Sequence, residues 1–182
     1  GKYYESSEKW RGKKSTSGGG VLMIQAIHYI DLLIWIFGDV ESVYGKIDTK
    51  VHNIEGEDTA FGILKFKSGA IATIQGTTAV VKTLPDVLEI HGDKGSVVFK
   101  RNRLINKIIF LTTSSNFLGK LKNKINCYLT IRKGTIKDQI KDFTESIQNN
   151  KKPFVTGEDG LKALEVVIGI YKSSELNKEI IL

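Results

Sequence analysis

The chain is short of several features, and each shortage narrows what it can be. Among 182 residues there is one cysteine, Cys127, so no internal disulfide can form and a reducing, cytoplasmic setting fits. The only methionine is Met23 and residue 1 is a glycine, so we expect the natural start of the protein to lie outside this segment. No apolar run reaches the roughly 18 residues of a membrane span; residues 21–37 come closest, and Gln25, His28 and Asp31 interrupt them. The opening GKYYESSEKWRGKK is polar and basic and has no apolar signal core, so neither membrane insertion nor secretion is expected.

Motifs of several enzyme classes are missing as well. There is no Gly-x-Ser-x-Gly elbow for a serine hydrolase and no GxxxxGK[ST] phosphate loop. No strand leads into a GxGxxG, so the chain cannot hold a dinucleotide in the usual way. His52 and His91 stand apart in loop and strand contexts, Cys127 has no second cysteine, and no metal site is expected. Acidic residues are absent from Lys100 to Lys137, where ten Lys or Arg account for the net charge of +7. Such a run reads first as a solvated basic region and second as a surface for anionic partners. Its stacking aromatics are sparse, chiefly Phe110, Phe117 and Tyr128, so nucleic acid is not an expected partner.

What is present suits an ordinary globular domain, with 41% hydrophobic and 26% charged residues. We read a single domain over 1–182: an irregular arm (1–17), a helix (18–37), a sheet (39–133) and C-terminal helices (135–182). Gly38 supplies the stop after the first helix. VESVYGKIDTKV reads as a strand, and DTAFGILKFKSGAIATIQGTTAV as two strands joined at Lys67-Ser68-Gly69. DVLEIHG and GSVVFK form another pair through Gly92-Asp93-Lys94-Gly95. RLINKIIFLTT and NCYLTIRK are further candidate strands, with SSNFLGKLKNK as the loop between them.

The end of the chain is helical. Ile136, Ile140, Phe143 and Ile147 recur at spacings of 4, 3 and 4, one face of an amphipathic helix. After KKPF, Thr156 can cap a second helix whose first turn holds Glu158 and Asp159. EIIL reads as a last short strand. One helix, a run of hairpins and two helices make an α+β fold: an open, mostly antiparallel sheet with helices packed on one face.

The chemistry concentrates in GGGVLMIQAIHYIDLLIWIFG, residues 18–38. Gln25, His28 and Asp31 lie three apart and share one side of a helix. A histidine there can exchange a proton near neutral pH, with Asp31 fixing its tautomer. Taken without context, the structural reading is the commoner one, since buried polar groups must find hydrogen bonds.

Context comes from the order of the motifs. WRG, SGGGVLMIQAIHYIDLLIWIFGDVESVYG, EDTAFGILKFKSGAIATIQGTT, LEIHGDKGSVVF and DFTESIQNNKKPFVTGEDGLKALEVVIGIYKSS together resemble the C-terminal domain of the Gfo/Idh/MocA oxidoreductases. The likeness runs over nearly the whole chain in order. The arm YYESSEKWRG resembles the branch that acts on nucleotide-sugar uronates or related sugars.

The resemblance implies half of an enzyme, in which a separate N-terminal Rossmann domain holds NAD(P). No cofactor is expected for this chain alone, and the isolated chain is expected to be inactive. The resemblance also implies a sugar or nucleotide-sugar substrate, and a homo-oligomer formed through the sheet face. His28 matches the family histidine, which makes it the catalytic candidate: a sugar hydroxyl loses its proton to a lysine of the other domain or to His28 while hydride passes to NAD(P)+. Gln25, Asp31 and Arg11 are the substrate-binding candidates, Arg11 for an anionic group. The chain departs from the family at two positions. Ile24 stands where many relatives place an acidic or Asn side chain four residues before the histidine, and Ala26 replaces a glycine. Ile24 cannot hydrogen-bond a sugar hydroxyl, which leaves a second reading open: a stand-alone, non-catalytic dimerisation or ligand-binding domain.

Overall fold

The computed structural model describes Tyr4 and residues 10–82, 84–101, 106–112 and 136–182. They fall into two compact units, one drawn from 1–80 and 155–182 and the other from 81–154.

The first unit is built on a four-stranded sheet of order β3-β2-β1-β7, with β1 Val40–Asp48, β2 Thr59–Phe66, β3 Ile71–Thr77 and β7 Ile180–Ile181. Every pairing in it is antiparallel. The β2–β3 turn is the expected one: Gly69 takes φ +87° and donates its N–H to the Phe66 carbonyl. Period-two alternation sorts β2 cleanly. Ala60, Gly62, Leu64 and Phe66 are buried, while Phe61, Ile63 and Lys65 face out.

Several helical segments belong to this unit. A short α1 covers Lys14–Ser17, a π-turn covers Leu22–Ala26, and α2 covers Ile27–Phe37. The long helix at the end of the chain runs over Gly157–Leu176. It packs on β1 and on α2. The core between them holds Leu22, Ile30, Val43, Leu64, Phe66, Val167 and Ile170, each under 2% exposed. Burying such a side chain contributes about 1.5–3 kcal/mol. The expected cap at Thr156 is present as a capping box: Thr156 Oγ1 accepts from the Asp159 N–H, and the Thr156 N–H donates to Asp159 Oδ2 at 2.9 Å. EIIL supplies the short β7, where Ile180 pairs with Val43.

By length and composition the helical stretch Lys14–Phe37 could cross a membrane. Val21, Leu22, Ala26, Ile30, Leu32 and Leu33 are buried within the unit, so here it serves as the core helix.

The second unit holds an antiparallel meander of order β4-β5-β6, with β4 Asp86–Gly92, β5 Gly95–Arg101 and β6 Asn106–Thr112. The expected turn closes at the Gly92–Gly95 pair. The unit also holds α3, Ile136–Gln148, and the Gly157–Leu176 helix of the first unit is α4. The predicted apolar stripe of α3 is real, but Ile136, Ile140, Phe143 and Ile147 are all exposed in this unit. The candidate strand NCYLTIRK, the loop SSNFLGKLKNK and most of the basic segment 100–137 lie outside the described residues.

Candidate functional site

The glycine run solves a packing problem. A β-carbon at Gly20 would collide with the Glu57 carbonyl oxygen, and one at Gly19 with the Tyr171 hydroxyl. Glycine is therefore needed where the chain enters the helix against the residues ahead of β2. Three successive amides meet Glu57 there. Gly20 N–H donates to Glu57 Oε2 at 2.9 Å, Val21 N–H to the Glu57 carbonyl at 2.9 Å, and Leu22 N–H to Glu57 Oε1 at 2.8 Å. Tyr171 on α4 adds its hydroxyl to Oε1 at 3.0 Å.

Glu57 is only 4% exposed, and its negative charge sits at a helix N-terminus, where the dipole favours it. Burial, then the Glu57 charge, raises the Tyr171 pKa well above the ordinary phenol value, so the hydroxyl stays a donor. Neighbouring Asp58 is fully buried. It accepts from the N–H groups of Lys50, Val51 and His52 at 2.7–2.9 Å. Burial pushes its pKa up, but these donors outweigh it and hold the carboxyl at about 2.

From this anchored start the chain makes a π-turn, in which Ile27 N–H reaches back five residues to the Leu22 carbonyl. One residue more than a regular α-turn rotates everything after it by roughly 100° about the helix axis. The polar stripe rides on this turn and on α2. His28 and Asp31 are exposed, next to each other on one face. Partial burial raises the Asp31 pKa, the charge of Asp159 raises it further, and His28 opposes both. Gln25, one turn earlier, is half-buried; its Oε1 is enclosed and accepts no hydrogen bond among the described residues.

The structure thus brings His28 and Asp31 together and sets Gln25 on the same helix. Arg11 stands elsewhere, on the arm, with its guanidinium 4.7 Å from the Trp10 ring centroid. The other two histidines have structural places. His52 bonds the Thr78 carbonyl at 3.0 Å and stacks near Tyr4, and His91 bonds Ser96 Oγ at 2.8 Å.

Glu57, Asp58 and Tyr171 escaped the reading of the sequence. The one signal for Glu57 and Asp58 was the acidic cluster EGED, directly ahead of an apolar strand, and Tyr171 had none. Among the described residues no cluster of His, Cys, Asp or Glu is set to hold a metal ion. The glycine run offers no cradle for a dinucleotide pyrophosphate either: the Gly20 and Leu22 amides are taken by Glu57, and Tyr171 fills the space beside Gly19.

Comparison with known proteins places this geometry. A family model described as "Oxidoreductase family, C-terminal alpha/beta domain" matches residues 2–182. Myo-inositol 2-dehydrogenase of Thermotoga maritima is 27% identical over 167 residues, covering 89% of this chain and 49% of that protein. 1,5-anhydro-D-fructose reductase of Ensifer adhaerens is 27% identical over 172 residues, covering 91% and 48%. The solved WlbA dehydrogenase of Bordetella pertussis, in complex with NADH and UDP-GlcNAcA, aligns over all of this chain and 50% of its own, with TM-score 0.79 and 29% identity. The chain spans about half the length of the curated relatives it matches.

Proposed function

The chain belongs to the Gfo/Idh/MocA oxidoreductase family, as its C-terminal alpha/beta domain, and from that premise we propose that it is the substrate-binding and subunit-pairing half of an NAD(P)-dependent sugar or nucleotide-sugar dehydrogenase. The observation that carries the reading is His28, exposed on a rigidly anchored helix with Asp31 one turn on. The substrate class we favour is a nucleotide-sugar uronate, because the WlbA dehydrogenase, solved with UDP-GlcNAcA, is similar over the full chain.

In this reading a sugar hydroxyl lies against the exposed face of α2. An imidazole nitrogen of His28 accepts the hydroxyl proton, and Asp31 steadies the imidazolium that results. Gln25, half-buried on the same helix, offers its amide group to a second hydroxyl, and Arg11 pairs with an anionic group. The nicotinamide cofactor, held by the other half of the enzyme, supplies the redox chemistry. The setting is cytoplasmic.

Support for subunit pairing comes from the outer face of the four-stranded sheet. Phe61, Ile63 and Ile71 are each about half or more exposed there, at 54%, 49% and 73%. An antiparallel sheet tolerates one wet face, but an apolar one invites a cover. A second copy of the chain is the cover we propose, and sedimentation at high micromolar concentration tests it: a clean monomer contradicts pairing.

Ile24 favours the second reading, a domain that binds or dimerises without catalysis. Turnover of UDP-sugars with NAD(P)+ by the polypeptide that joins this domain to a nucleotide-binding half separates the two. We expect turnover that His28→Ala lowers on the order of 100-fold or more, with cofactor affinity little changed. Equal loss of both would make His28 structural.

A further inference from the structure

Glu57 is a buried acid that the proposed chemistry does not use. Its two oxygens and its carbonyl take the N–H groups of Gly20, Val21 and Leu22 together with the Tyr171 hydroxyl. The helix entry is therefore fixed in space by a residue 37 positions away, which α4 holds in turn through Tyr171. The other end of the segment is fixed too, because Ile30 is fully buried and Leu33 nearly so. Between these points the Leu22–Ala26 stretch winds as a π-turn, closed by Ile27 N–H to the Leu22 carbonyl. It holds one residue more than a regular α-turn would. Regular α-winding from the same start would swing His28, which follows the turn, by roughly 100° about the axis.

We propose that Glu57 is a positioning residue for His28: its grip on the Gly20 and Leu22 amides fixes where the helix begins, and so forces the π-turn that aims His28 toward substrate. The proposal rests on the reading of His28 as proton acceptor. The carboxylate is specific to the task. Glutamine would turn an amide nitrogen, which cannot accept, toward one of the two backbone donors. Aspartate is one methylene too short to span both amides and Tyr171. Tyr171 supports the clamp from the far side, since its hydroxyl can only donate to Oε1 while the phenol stays protonated.

The test is NMR on this chain, with amide hydrogen exchange read beside side-chain signals in Glu57→Gln and Tyr171→Phe. We expect exchange at Gly20, Leu22 and Ile27 to quicken about tenfold or more in Glu57→Gln, with the His28 ring signals moving as well. Tyr171→Phe should act in the same direction but less, and β2–β3 amides should keep their protection in both variants. Loss of protection at Gly20 and Leu22 alone, with Ile27 and the His28 ring unchanged, would overturn the proposal and leave Glu57 as a helix cap. Should Glu57→Gln not fold, Tyr171→Phe decides on the same signals. The functional reading fails separately: full turnover by His28→Ala would remove the catalytic meaning of the clamp even where the exchange data hold.

Discussion

Two acidic neighbourhoods of the first unit make opposite use of the same chemistry. Around Glu57 and Asp58 the carboxylates are buried and surrounded by backbone donors, and burial is offset by hydrogen bonds. Around Asp31 the residue is exposed, and partial burial of its carboxyl, Asp159 and His28 perturb it without a cage of donors. The first pair holds the backbone where it is. The second leaves its polar groups exposed, and we propose that they face substrate. The contrast separates buried acidic residues that build the fold from an exposed one that is free to do other work, although both stand beside apolar runs.

Substitutions can sharpen that contrast. In folding free energy the largest effect should come from Glu57→Ala, which strands the Gly20 and Leu22 amides and the Tyr171 hydroxyl. We expect about 3 kcal/mol of destabilisation, read by urea unfolding. Asp58 comes next, and its contribution depends on pH. Its folded pKa, about 2, lies below the ordinary aspartate value of 3.8. The stability it adds is therefore present above pH 4 and is lost as pH falls through 4 toward 2. That window is worth about 2 kcal/mol, and Asp58→Asn should flatten the acid limb of the unfolding curve there.

Smaller effects belong to the exposed stripe. His28→Ala should change folding stability by no more than about 0.5 kcal/mol, although it removes the proposed proton acceptor. Thermal melting checks this, and a large drop would move His28 into the structural class. The smallest effect is expected at Asp31→Asn. The folded pKa is raised, so the ionised form weakens the fold slightly as pH rises through that value. Removing the charge should leave the melting temperature at neutral pH unchanged or slightly higher, and a clear drop would show an unrecognised structural bond.

Much of this fold was legible because local chemistry sufficed to write it. Gly69 and the Gly92–Gly95 turn marked the hairpins, Gly38 ended α2, and Thr156 with Asp159 capped α4. The π-turn was not legible. VLMIQAIHYIDLL is apolar on nearly every side, so its periodicity does not report an extra residue. Glu57 was invisible for another reason: its partners Gly20 and Tyr171 lie 37 and 114 residues away, and spacing along the chain says nothing about such pairs. The stripe of α3 read correctly as amphipathic, but a sequence does not say whether an apolar face is covered within its own unit. His28, Asp31 and Gln25 stood out because they punctuate an apolar helix, and Arg11 stands on the arm against Trp10; the roles of all four are proposals.

We propose that the exposed face of α2 is the substrate wall of a sugar dehydrogenase. The most direct test is titration of this chain with UDP-GlcNAcA up to about 1 mM, a concentration that detects roughly 4 kcal/mol of binding, followed by NMR. The account predicts that the signals of His28, Gln25 and Asp31 shift together and that His28→Ala weakens the response. Shifts confined to other surfaces, or none at that concentration, would contradict it.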